Sequence, residues 1–154
     1  MRRLKQGAVV VAVVLAAAQL IRPGRTNPPT DANRTIQAHA GTTNELAAVL
    51  DRACGDCHSN RTVWPWYTQV APVSWVMAYA VKEGRKTINF SEWAGYAPEQ
   101  QRMLLVQSCS AVSAGRMPGS AWTGLHPEAR LSTRDVAAIC AAARPVDTHA
   151  VGGR

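Results

Sequence analysis

The 154-residue chain has no run of like charges, no uninterrupted apolar stretch of twenty residues, no internal repeat, and no segment with strand periodicity. It also has no second C-x-x-C and no H-x-x-x-H. Each absence excludes something. The formal net charge is +7, but the excess sits at the N-terminus: from Ala32 onward 12 Lys and Arg face 9 Asp and Glu, a net of +3. A mixed, mildly basic surface of this kind is a solvated one, so no nucleic-acid partner is expected. Without a second close Cys/His pair, a closed zinc site, which needs four ligands, is not supported. The missing strand period also removes the βαβ setting of a thiol–disulfide enzyme and points to an all-α chain.

What is present begins with "MRRLKQGAVVVAVVLAAAQLIRPGR". Arg2, Arg3 and Lys5 precede an apolar run from Gly7 to Ile21, and "AAAQ" at 16–19 offers a small-residue cleavage site after Ala18. Uninterrupted apolarity covers about fifteen residues, short of the roughly 20 that span a bilayer comfortably. Residues 1–21 are therefore expected to be a cleaved signal peptide or a short retained membrane anchor. In both cases the remainder lies on the periplasmic side of the cytoplasmic membrane.

Residues 22–41, rich in Pro, Gly, Asn and Thr, read as an extended linker. A helical domain is expected over 42–144. "TTNE" at 42–45 fits a capping box with Thr42 as cap, followed by Leu46, Val49, Leu50 and Ala53 at helical spacing. A second helix starts at Pro72 and is expected to stop at Gly84. A third runs from Pro98 to about Ser113, and a last one follows Ser132, with Asp135 three positions on. Ser91 is a candidate cap for a short turn. "AGRMPGSAWTGLHP" reads as a loop, and residues 145–154 as a loose tail.

At the end of the first of these helices stands "RACGDCHSN", with Cys54, Cys57 and His58. C-x-x-C-H is the attachment signal of c-type haem. Each thiol adds across one vinyl group to form a thioether, and the histidine that follows becomes the proximal iron ligand. An export signal agrees, because such haem is attached outside the cytoplasm. For the other axial position a methionine is a common electron-transfer ligand. Met77 and Met103 fall inside predicted helices, where Met usually packs in the core. Met117 sits on the Gly/Pro-rich loop, and His126 is its rival.

Three stretches, "ACGDCHSNRTVWPWY" (53–67), "APVSWVMAYAVKEGRKTINFSEW" (71–93) and "GRMPGSAWTGLHPEARLS" (115–132), resemble the monohaem c-type cytochromes of the haem-binding-domain family. The resemblance implies a cytochrome c-like helical fold with one covalent haem c on Cys54 and Cys57, His58 as proximal ligand and Met117 as distal ligand. It also implies the "RTNPP"-like tether seen at 25–29. Trp64, Trp66, Trp75, Trp93 and Trp122 then become candidate walls of the haem pocket, and Arg61 and Arg85 candidate partners of its propionates.

No nucleophile–base pair or His/carboxylate constellation is evident, so the expected role is single-electron transfer rather than catalysis. Partners would be redox proteins, within a membrane complex or outside one. The alternatives are a haem-based small-ligand sensor and a small haem peroxidase with an open distal site. Cys109 and Cys140 lie on the two predicted helices that flank the Met117 loop. They are expected either to bridge or to remain as two buried thiols.

Overall fold

The structure is a computed structural model that describes residues 1–39 and 41–144. The expected tail at 145–154 lies outside the described residues. Among the described residues seven α-helices form: α1 Arg2–Ala18, α2 Asn44–Ala53, α3 Gly55–His58, α4 Val73–Thr87, α5 Pro98–Ser113, α6 Ser120–Leu125 and α7 Thr133–Ala142. Five 3-10 turns punctuate them, and no strand occurs among the described residues. The all-α expectation therefore holds.

α2, α5 and α7 form the frame, α5 and α2 both packing on α7. Their inward faces supply Leu46, Val49, Leu50, Leu104, Val112 and Ile139 to one core, joined by Ile88, Phe90 and Trp93. The helical spacing of apolar residues on α2 thus buries the side chains it implied. Ser132 caps α7 in a full capping box with Asp135, as expected. α2 differs by one residue. Thr42 donates to the Ile36 carbonyl at 2.7 Å, so Thr43 becomes the cap and accepts from Leu46 N at 3.1 Å. Glu45 pairs with Arg134 and closes no box.

Three further expectations are corrected. Gly84 does not stop α4, which continues to Thr87. The turn at Phe90–Gly95 is capped by Asn89, whose Oδ1 accepts from Ser91 N at 3.0 Å, while Ser91 Oγ accepts from Asn60 N. The stretch after α5 is not all loop, since α6 forms within it.

Residues 22–31 run without helix, as the linker reading expects, but they are laced to the body. Arg25 donates to Thr68 O at 2.7 Å, Asn27 to Thr62 O at 2.8 Å, and Arg85 to Thr26 O at 2.9 Å. Ile36, just beyond, is fully buried in the core. An N-terminal apolar helix is present, but no described helix is long and apolar enough to cross a membrane. α1 ends after 17 residues, where the Gln19 side chain turns onto Ala71, accepting from its N–H at 2.9 Å.

Candidate haem site

Cys54 ends α2, and the chain winds one more turn, with His58 N donating to Cys54 O at 2.9 Å before Ser59 breaks into extended backbone. That extra turn puts Cys54 and Cys57 three positions apart, with His58 beside them. Asp56, on the same turn, fastens the next segment: its carboxylate accepts from Val63 N at 2.7 Å and its carbonyl from Thr62 Oγ1 at 2.6 Å.

α4 packs directly on this turn. A side chain at Gly84 would place its Cβ inside the Cys57 carbonyl, and the residue's role is this close approach. Gly84→Ala should force α4 away from Cys57, costing about 1–3 kcal/mol as overpacking does. Calorimetric Tm and haem content per polypeptide should fall together; an unchanged Tm would show that α4 does not press on Cys57.

The same contact orients His58. Its Nδ1 lies 3.0 Å from Gly84 O and 3.2 Å from Ile88 O, so Nδ1 carries the proton and donates to the backbone. Nε2 keeps its lone pair, which is the tautomer a metal requires. Burial lowers the His58 pKa, opposed by the hydrogen bonds to Ile88 and Gly84, so the ring is neutral at pH 7.

The thiols are shifted the other way. Burial, with the neighbouring Cys57, pushes Cys54 up to about 12 against the pull of Arg52. Burial, with Asp56, pushes Cys57 up to about 11 against Arg85. Thiols this reluctant to ionise stay protonated at neutral pH.

Cys54, Cys57, His58 and Met117 all line one cavity of about 230 Å³. Its walls come from the ends of α2 and α4, one face of α5, Phe90, Trp122 and Ile139. Met117 arrives there through a glycine-closed helix end. Gly115 has φ +64°, its N–H donates to Val112 O at 3.0 Å, and Arg116 N donates to Ala111 O at 2.9 Å. These two bonds make a Schellman closure that turns the chain out of α5 toward the cavity. Met117 is 48% exposed at the cavity wall.

The rival sulfurs and the rival imidazole do not line the cavity. Met103 is 50% exposed on α5, so it is not the core residue its helix position implied. His126 has both ring nitrogens engaged, Nε2 with the Tyr67 hydroxyl and Nδ1 with Glu128 Oε1 at 2.8 Å. Its ring stacks on Trp122 at 3.7 Å, so it backs the one tryptophan that does line the cavity. The other four tryptophans lie elsewhere: Trp93 in the core, Trp66 on the surface, Trp64 and Trp75 against residues 21–26. Arg85 is committed to Ser59 O, Thr26 O, Asn27 and Thr62, and Arg61 pairs with Asp51 at 2.7 Å. Neither lines the cavity, so neither is placed as a propionate partner.

Among the walls that sequence reasoning missed are Ile88, Phe90, Leu104, Ser108, Val112 and Ile139. For α5 the available signal was the spacing of Leu104, Ser108, Ala111 and Val112, which share one helical face.

The donor set fits haem. A neutral imidazole with a free Nε2 and a thioether share an otherwise apolar cavity, with two thiols three residues apart on its lining. A bare metal centre has no such basis, since no three His, Cys, Asp or Glu side chains gather to hold an ion among the described residues. No curated protein and no solved structure matches the chain. The family model of the haem-binding domain matches residues 13–144, most of the chain, and the protein belongs to that haem-binding-domain family.

Proposed function

We propose that the protein is a single-electron carrier with one covalently held haem c, working on the periplasmic side of the cytoplasmic membrane. Cys54 and Cys57 would hold the group by thioethers, with His58 and Met117 as axial ligands. When bound, the group supplies a one-electron couple at its iron. The chain's own part is to fix His58 through Gly84 O and Ile88 O, to present Met117, and to exclude water with apolar walls. If His58 and Met117 both held the iron, no coordination position would remain for a substrate, which favours transfer over catalysis. Redox proteins, free or in a membrane complex, would be its partners.

The observation that carries this reading is the meeting of Cys54, Cys57, His58 and Met117 on one cavity. Residues 1–21 would remain as the membrane attachment, α1 offering exposed apolar residues from Val9 to Leu15. Met117→Ala should remove the near-infrared sulfur-to-iron charge-transfer band. It should lower the reduction potential by on the order of 0.1 V or more, within the about 0.8 V that axial ligands span. Met77→Leu and Met103→Leu should leave both unchanged. A second reading, small-ligand sensing or peroxidase chemistry at an open distal side, draws on the half-exposed position of Met117. A wild-type spectrum without the band would favour it over electron transfer.

A further inference from the structure

None of the residues of α1 is buried, and Val9, Val10, Val11, Val13, Val14 and Leu15 are all exposed. From Gly7 to Ala18 α1 is apolar on every face, and such a segment is not stable in water and needs an apolar surround. Where it leaves the domain it is fixed. Gln19 exchanges two hydrogen bonds with Ala71, and Trp75 Nε1 donates to Ile21 O at 2.8 Å. Ala71 and Trp75 flank the start of α4, so whatever surrounds α1 meets the first turns of α4 as well.

The surface at that junction is apolar. Leu20, Ile21, Val73, Val76 and Tyr79 are all exposed, Tyr79 to 67%. Arg22 and Lys82 stand exposed beside them, and Glu83, the acidic residue on the same helix, faces Lys86 at 3.7 Å. We propose that this collar rests on the headgroup layer of a lipid bilayer that holds α1, with Arg22 and Lys82 toward anionic headgroups. The proposal rests on α1 being a retained membrane attachment and goes further, giving the helical body itself a membrane-facing side.

Two features select a bilayer over a protein partner. A partner helix needs one apolar stripe, whereas α1 beyond Gln6 is apolar all round. An aromatic ring with cations around an apolar rim is the chemistry of the membrane–water boundary. Tyr79 and Gly84, five positions apart on α4, point to different sides, so the helix stands between the bilayer and Cys57.

Hydroxyl-radical footprinting read by mass spectrometry tests this on the full-length, haem-loaded chain. Vesicles of phosphatidylcholine with a minority of phosphatidylglycerol are compared with buffer, and the exposed Met103 on α5 serves as internal control. Modification of α1 and of Val76 and Tyr79 should fall several-fold with vesicles, while Met103 is unchanged. Protection of α1 with Tyr79 as reactive as in buffer would overturn the collar and leave the attachment reading intact. Protection of neither would overturn both. Protection of Tyr79 without lipid, in protein sedimenting as a dimer, would assign the surface to a second copy and overturn the proposal.

Discussion

Replacement of both Cys54 and Cys57 by alanine is expected to abolish covalent haem completely. A thioether withstands denaturation, whereas an axial bond from His58 or Met117 does not survive loss of the fold that positions it. Wild-type protein matured with the c-type assembly machinery should give a haem-stained band on a denaturing gel, and the double variant none. The site gives a reason for the stringency. Both thiols lie on one cavity, set by a four-residue helix whose position depends on the Cys54 carbonyl and on α4 packing against Cys57. A single replacement should leave one attachment and a changed visible spectrum. If the double variant keeps its stained band, the two thiols are not the attachment points. The covalent reading also fails if the wild type shows no band.

Much of this site was legible because its signals are local. C-x-x-C-H fixes three residues within five positions, and a methionine between Gly115 and Pro118 cannot lie in a helix interior. The apolar spacing on α2, the capping box at Ser132 and Asp135, and the limits of α5 are also local patterns. What escaped was decided by contacts across the chain. Gly84 looks like a helix stop when only its neighbours are read, and its reason is the Cys57 carbonyl, 27 positions earlier. Thr42 and Thr43 are equal as caps until Ile36 O claims the first. Residues 22–41 are polar enough to read as a free linker, but Arg25, Asn27 and Ile36 find partners on elements far along the sequence. Arg85 reads as a candidate carboxylate partner because side chains are what a sequence displays. All of its hydrogen-bond partners are backbone carbonyls and side-chain oxygens of the N-terminal segment and of the loop after α3.

The other large expected effect comes from Cys109 and Cys140. The structure bridges them, with a Cα–Cα distance of 4.7 Å, resolving the expectation that left a bridge and two thiols open. The bond joins α5 to α7 across a sequence separation of 31. By chain entropy, closing a loop of that length stabilises the fold by about 3–4 kcal/mol. Cys109→Ser with Cys140→Ser, which leaves no unpaired thiol, should therefore lower Tm by about 6–16 °C, at roughly 2–4 °C per kcal/mol for a chain of this size. The loss should reach the distal side of the haem. Cys109 lies six residues before Gly115 on the same chain segment, and Ile139, next to Cys140, lines the cavity. Untying the two helices frees the element that presents Met117, so the near-infrared band should weaken on warming well before the fold melts. Thiol counting without reductant supplies the control: the unfolded, haem-loaded wild type should show no reactive thiol, two being held by haem and two by each other. Two reactive thiols in that measurement, or a double variant as stable as the wild type, would remove the bridge from the account of the Met117 loop. A bond that persists here also requires an oxidising compartment, which is where the proposed periplasmic carrier would work.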